Sequence, residues 1–167
     1  MDSYLERLQR ELESTTAGAT AAGLELAPAG KWNAAQILEH LFLTYRNTNK
    51  GIGKCLEKGS PLATGATFRH RVGTMLVVRF GYLPGGRIAP ERATPRGMVA
   101  EEVRQAIFPE IQRMESGLRD CENKFGPGTK IMDHPFLGPL TAAEWRKFHW
   151  VHGRHHARQI RQRLGKS

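Results

Sequence analysis

The chain has 167 residues and a mass of 18.7 kDa, enough for one domain that buries roughly two-thirds of its unfolded surface. A mean hydropathy of −0.47 and the lack of any run of about eighteen apolar residues argue against a membrane-spanning helix. Lys and Arg exceed Asp and Glu by 25 to 16, a formal charge of +9 that could attract an anionic partner. The cysteines, only Cys55 and Cys121, exclude a disulfide framework and a thiolate zinc site.

Helical signals dominate the first half. A Ser-x-x-Glu capping box at Ser3 predicts a first helix from Ser3 to about Ala22. Asn33 is a good N-cap and predicts a second helix that fades out around Lys58 to Pro61. The segment 68–80 is rich in valine, but the spacing of its apolar residues favours a short helix over a strand.

A fourth helix should follow a Pro- and Gly-rich loop over 81–95. Thr94 and Pro95 suit its N-cap and first position, and it should run to about Lys124 with Pro109 inside it. The predicted buried stripe consists of Val99, Val103, Ile107, Ile111, Met114 and Leu118.

The last helix follows a long connection over 125–140, of a length that is often functional. A second capping box, at Thr141, predicts that this helix begins there and continues through Leu164. The pattern therefore predicts an all-α fold, a bundle of four principal helices with an extra short helix, in a single domain over residues 1–167. No secretory leader is recognisable at the amino terminus, so we expect a cytoplasmic protein.

The histidines of the last helix carry the functional signal. His152 and His156 are four residues apart, a spacing that places two imidazoles one above the other on a helix, within reach of one metal ion. His40, on the amphipathic second helix, is the candidate third ligand, because bundles build metal sites from facing helices. The competing interpretation of His40 is an ordinary histidine satisfied by a backbone carbonyl or a water.

Other histidines have less defined roles. On a helical wheel His149 lies on the same side of His152 as His156 and competes with His156 as a ligand, whereas His155 lies on the other side. His155 would therefore be a substrate-side, second-layer or surface residue. His134, in the connection before the last helix, could line the mouth of the site. Three ligands leave a coordination position open, as catalytic sites require.

The segments Lys31–Leu41, His134–Trp145 and His152–Gln159 together resemble the DinB/YfiT-like superfamily of metalloenzymes, in particular its branch with a DUF1569 domain. The resemblance implies an antiparallel four-helix bundle with an up-down-down-up arrangement, frequent dimers, and a divalent ion such as zinc or nickel held by three histidines. It carries the ligand role onto His40, His152 and His156. Superfamily members include transferases that use low-molecular-weight thiols such as mycothiol or bacillithiol.

Two functions follow as hypotheses. The first is a metal-dependent transferase or hydrolase in which the ion activates a thiol or water for attack on a small-molecule electrophile. Arg154 and Arg158 are candidate contacts for an anionic thiol, although charges at such positions are usually solvated, and Glu39 should lie on the helix exterior. The second is a non-enzymatic stress-related or nucleic-acid-binding protein, motivated by the charge of +9 but lacking any recognised nucleic-acid-binding motif.

Overall fold

A computed structural model describes residues 3–82 and 89–166. Their secondary structure is mostly helical, with a small two-stranded antiparallel sheet. The elements in chain order are α1 (Tyr4–Thr16), α2 (Ala21–Glu25), α3 (Ala34–Lys58), α4 (Phe68–Thr74), a π-helical turn (Met75–Arg79), a 3-10 turn (Glu91–Ala93), α5 (Ala100–Phe125), β1 (Lys130–His134), β2 (Gly138–Thr141) and α6 (Ala142–Arg163).

The predicted helix starts at Asn33 and Thr141 are confirmed. Both residues cap their helices through a reciprocal capping box, with Gln36 for α3 and Glu144 for α6. α3 ends at Lys58, where Gly59 adopts the left-handed conformation with a φ of 74°.

The first helix is shorter than predicted. α1 begins after Ser3, whose capping box is present, but it ends at Thr16 instead of continuing to Ala22. Gly18 has a φ of 71°, and Thr20 starts the separate helix α2 by accepting a hydrogen bond from the backbone N–H of Gly23. The N-cap at Thr20 therefore outweighs the helix propensity of the alanines around it.

The helix predicted over 68–80 is confirmed as α4 and its π-helical continuation. The loop predicted over 81–95 contains a 3-10 turn, and its residues 83–88 lie outside the described part of the chain. The start predicted for the next helix at Thr94 and Pro95 is wrong, because α5 begins at Ala100. Val99 is 54% exposed, while the rest of the predicted stripe is buried.

The connection over 125–140 contains strands that the all-α prediction missed. β1 and β2 pair as a short hairpin, in which Met132 lies opposite Leu140 and His134 lies opposite Gly138. Gly138 has a φ of 68°, and a Cβ there would collide with the ring of His70. Elements of five and four residues are too short to show a clear alternating pattern, so the sequence carried little strand signal.

The core lies between the longer helices. α3 packs along α5 and α1 packs along α6, while α6 also contacts α3 and α5. Arg146 of α6 joins α5 through its guanidinium, with N–O distances of 3.0 Å to Glu115 and 2.8 Å to Glu122. Among the described residues, no helix has the length and apolar character needed to cross a bilayer. This packing places the second turn of α3 against the middle of α6.

Candidate metal centre

Three imidazoles from α3 and α6 meet at one point. The Nε2 atom of His152 lies 3.3 Å from Nε2 of His40 and 3.1 Å from Nε2 of His156. One ring nitrogen from each of the three histidines lies within 4.8 Å of the others. The structure therefore brings His40 of α3 together with His152 and His156 of α6, which lie more than a hundred residues later in the chain. These three residues form a group that could hold a metal ion.

Hydrogen bonds at the far side of two rings set their tautomers. Nδ1 of His40 lies 2.8 Å from the carbonyl oxygen of Ala93, and Nδ1 of His156 lies 2.7 Å from Oε1 of Gln159. A carbonyl oxygen can only accept, so each Nδ1 carries the proton. The Nε2 atoms of His40 and His156 are then unprotonated, and each directs its lone pair toward Nε2 of His152. Metal ligation requires such unprotonated nitrogens.

Two of the nitrogen separations match those found around a tetrahedral ion. Two imidazole nitrogens bound to zinc at 2.0–2.1 Å with a tetrahedral angle stand about 3.3 Å apart. Nε2 of His152 lies 3.1 Å from that of His156 and 3.3 Å from that of His40. The lone pairs of His40 and His156 point at Nε2 of His152, and lone pairs this close repel one another unless a proton or a cation lies between them.

Burial keeps these imidazoles neutral. Desolvation lowers the pKa of His40, lowers the pKa of His152 well below its ordinary value, and lowers the pKa of His156 to about 3. The neighbouring imidazoles reinforce the shift for His152 and His156. Neutral rings are the form that binds metal, so the site is ready for ligation at neutral pH.

Glu39, the residue before His40, is not on the helix exterior as predicted. Its carboxylate is 1% exposed and accepts hydrogen bonds from the backbone N–H groups of Arg96 at 2.7 Å, Gly97 at 3.0 Å and Met98 at 3.0 Å. These bonds hold the chain that follows Ala93 against α3. Two adjacent residues of α3 thus hold the loop before α5. Glu39 binds it through its carboxylate and His40 through its ring.

Aromatic rings enclose the imidazoles. The ring of Phe148 stacks on that of His152, with centroids 5.5 Å apart and planes 13° from parallel. The ring of Trp32 lies 5.5 Å from that of His40. Nδ1 of His152 is buried and has no hydrogen-bond partner among the described residues. Phe148 and Trp32 therefore cover part of the ring surfaces of His152 and His40.

His149, which the sequence left as a competing ligand, lies apart from this group. Its ring is fully buried, its Nε2 lies 3.2 Å from the hydroxyl of Thr48, and its ring stacks on Trp145. The hydroxyl of Thr48 donates to the carbonyl of Thr44, so it accepts the Nε2 proton of His149. Desolvation lowers the pKa of His149 to about 3.

His155 and His134 border the site. Nε2 of His155 accepts a 3.3 Å hydrogen bond from the amide of Gln159, the residue whose oxygen orients His156. Nδ1 of His134 accepts from the backbone N–H groups of Phe136 and Leu137 and so closes the hairpin turn. Both histidines line the cavity in front of the three imidazoles.

That cavity has a volume of about 1290 Å³ and reaches the three imidazoles. Arg154 and Arg158, the arginines singled out from the sequence, are not among its described lining residues, and the guanidinium of Arg154 lies over the ring of Trp150 instead. The cavity provides room for a reactant beside the histidines.

Sequence reasoning missed the residues that orient the rings. Gln159 stands three positions after His156, a helical spacing that could have identified it. Ala93 contributes only a backbone carbonyl, for which the side-chain sequence holds no signal.

The sequence matches the DUF1569 family, described as a protein of unknown function, over residues 11–163. The chain belongs to the DUF1569 family. The match includes α3 and α6 entire, and with them His40, His152 and His156. Comparison with curated proteins and with solved structures gives no match. The family assignment therefore brings no reaction with it, and the chemistry has to be argued from the site.

Proposed function

We propose that this DUF1569 protein is a metal-dependent enzyme in which His40, His152 and His156 hold a divalent ion, zinc or nickel, with a coordination position left for a reactant. The observation that carries the proposal is the convergence of three Nε2 atoms, with separations of 3.1 and 3.3 Å around His152. Two of the rings are held in the ligating tautomer by Ala93 and Gln159.

In the proposed reaction an activated nucleophile attacks a small electrophile. Attack by a low-molecular-weight thiol transfers a group to that thiol, and attack by water is hydrolysis. A bound divalent ion lowers the pKa of a thiol or water, so that a nucleophile is available near neutral pH. The protein's own side chains hold the imidazoles neutral, orient them, and cover part of their ring surfaces with Phe148 and Trp32. The cavity of about 1290 Å³ supports the proposal, because it gives a reactant room beside them.

A thiol used in such a reaction has to come from outside the chain. Cys55 and Cys121 are both buried, and Sγ of Cys55 donates to the carbonyl of Ile131. Desolvation raises the pKa of Cys55 and raises the pKa of Cys121 to about 11. Both cysteines are therefore poor nucleophiles at neutral pH.

The proposal extends to architecture. We assign the chain to the DinB-like superfamily, as one domain over residues 1–167. We propose that this domain is an antiparallel four-helix bundle with an up-down-down-up arrangement. We also propose that the protein is cytoplasmic and able to form a homodimer. The packing of α3 on α5 and of α1 on α6 supports this arrangement. A nucleic-acid-binding or stress-related role stays a prediction that rests on the charge of +9 alone.

Elemental analysis of protein purified without a metal-binding tag, and reconstituted with zinc or nickel, tests the proposal. We expect close to one ion per chain in the parent and little in His40→Ala or His152→Ala. His70→Ala is the matched control, since His70 lies on α4 outside the group, and it should keep the metal. A parent protein that takes up neither metal after reconstitution would overturn the proposal.

A further inference from the structure

The cavity in front of the three histidines combines an apolar wall with a basic rim. We infer that it binds an amphiphilic anion, a molecule with an apolar chain or ring system and one terminal acidic group such as a carboxylate. The inference rests on the proposed function, because it names the substrate class of the same site. The bound anion lies in one orientation, with its apolar part inside the cavity and its acidic group at the rim.

The wall of the cavity is mainly apolar, with polar side chains from α3 and α6 among it. Side chains from four different elements supply its wall, among them Ile37 of α3, Val77 of the π-helical turn, Met132 of β1 and Phe148 of α6, all buried. Its volume of about 1290 Å³ lies above the roughly 300–1,000 Å³ usual for small-molecule sites. A small polar electrophile would leave most of this wall in contact with water, whereas an apolar body would cover it.

The charged residues of the lining are mostly basic. Lys31, Arg69, Arg92 and Arg163 contribute basic groups. Among the described lining residues the carboxylate is that of Asp133, which accepts hydrogen bonds from the backbone N–H and the hydroxyl of Thr64. The rim therefore presents several cations and one carboxylate that already has partners.

The sequence around the rim strengthens this bias. Between Glu57 and Tyr82 the chain contains Lys58, Arg69, Arg71 and Arg79 and no Asp or Glu. Arg69 and Arg92 are exposed, so an acidic group bound there keeps much of its hydration while it gains their attraction. Next to Arg69, the ring of Phe68 is 81% exposed at the edge of the cavity. An entering apolar chain would meet this ring first.

The orientation follows from the cost of burying charge. An ionised carboxylate placed among Ile37, Val77 and Met132 would lose its hydration without gaining a partner. Placed at the rim it gains Arg69 and Arg92, and the apolar chain can then extend toward His152. The proposed reaction would act on the end of the ligand's apolar chain that lies nearest the histidines.

Isothermal titration of the metal-loaded protein with straight-chain carboxylates, below their micelle concentrations, tests the inference. We expect affinity to rise about fourfold for each added CH₂ from hexanoate to decanoate. Decyltrimethylammonium, with the same chain and the opposite charge, should bind much more weakly. The double variant Arg69→Gln/Arg92→Gln should weaken decanoate binding about fivefold, the effect of two solvent-screened charges.

The matched control is Arg113→Gln/Arg119→Gln, which removes the same charge from α5, outside the cavity lining, and should leave decanoate affinity unchanged. A metal-free His152→Ala protein should also keep its affinity for decanoate. If this variant loses it while the arginine variant does not, the carboxylate lies on the metal and the proposed orientation is wrong.

Two further outcomes would overturn the inference. Equal binding of decanoate and decyltrimethylammonium would indicate unspecific apolar contact, and binding only to anionic phospholipid vesicles would indicate a membrane surface. Metal content is measured on the same samples. A protein that holds its metal but binds no decanoate refutes the inference alone, whereas one that takes up no metal refutes the proposed function.

Discussion

Nδ1 of His40 donates a 2.8 Å hydrogen bond to the carbonyl oxygen of Ala93, 53 residues away in the chain. This bond sets the tautomer and the plane of the ring, and so directs Nε2 of His40 toward His152. The loop that carries Ala93 is held by the carboxylate of Glu39, the residue before His40. The geometry of one ligand therefore depends on contacts that a search for metal-binding residues would not include.

Gln159→Leu should weaken metal binding about 10- to 100-fold, the usual effect of removing a hydrogen bond that orients a ligand. The substitution removes the Oε1 acceptor of the Nδ1 proton of His156, which lies 2.7 Å away. Competition titration against a chromogenic chelator measures the affinity. Gln159→Glu keeps an acceptor oxygen and should retain metal binding. An unchanged affinity in Gln159→Leu would show that this hydrogen bond does not position His156.

Glu39→Ala should lower the free energy of unfolding by about 3–5 kcal/mol, because three backbone donors lose a buried charged acceptor. Glu39→Gln should cost less, since its amide oxygen still accepts. Urea unfolding of the metal-free proteins measures both changes. Metal affinity should fall in Glu39→Ala as well, through the displaced carbonyl of Ala93. A loss of stability below about 1 kcal/mol would contradict this account of the carboxylate.

The metal-free protein should lose stability as the pH falls from 7 to 5. Desolvation lowers the pKa of His149 and of His156 to about 3 in the folded protein, while unfolded histidines titrate near 6.5. Below pH 6.5 the unfolded chain binds protons that the folded chain cannot, so the free energy of unfolding falls. Each such histidine contributes about 2 kcal/mol of this loss by pH 5.

Urea unfolding at pH 7 and at pH 5 measures this dependence. His149→Leu, which removes one of these groups without touching the three candidate ligands, should show a loss smaller by about 2 kcal/mol. A parent protein whose free energy of unfolding is constant or rises between pH 7 and 5 would contradict the lowered pKa values.

Gly153→Ala should destabilise the protein by about 1–3 kcal/mol, as overpacking does. A Cβ at Gly153 of α6 would collide with Cδ1 of Leu8 and lie 3.0 Å from the hydroxyl of Tyr45. Gly53→Ala is the matched control, because a Cβ there meets no atom within 4 Å on the helix α3. The control should gain about 0.5–1 kcal/mol from its helix propensity. Thermal unfolding of the two variants gives the comparison, and equal stabilities would contradict close packing of α1 against α6.

The start of α5 and the β hairpin were both predicted wrongly from the sequence, and for related reasons. A helix start at Thr94 and Pro95 satisfied the local rules, yet α5 begins at Ala100, because Gly97 has a φ of 92°, which a helix cannot contain, and the N–H groups of Arg96 to Met98 donate to Glu39 in that arrangement. The hairpin was missed for a similar reason, since its short strands depend on pairing with each other. In both places the conformation involves contacts outside a helical turn, between neighbouring strands in the hairpin and between α3 and the segment before α5.

A spacing of four residues was enough to pair His152 with His156, and capping residues, two of them with a Glu three positions later, were enough to identify the helix starts at Ser3, Asn33 and Thr141. Those features depend on hydrogen bonds and side-chain contacts within one or two helical turns, which the order of residues determines directly. The meeting of His40 with that pair, the separation of His149 toward Thr48, and the orienting carbonyl of Ala93 depend on how helices far apart in the chain pack. Only the tertiary structure decided these, because distances across the core are set by the packing of the core as a whole.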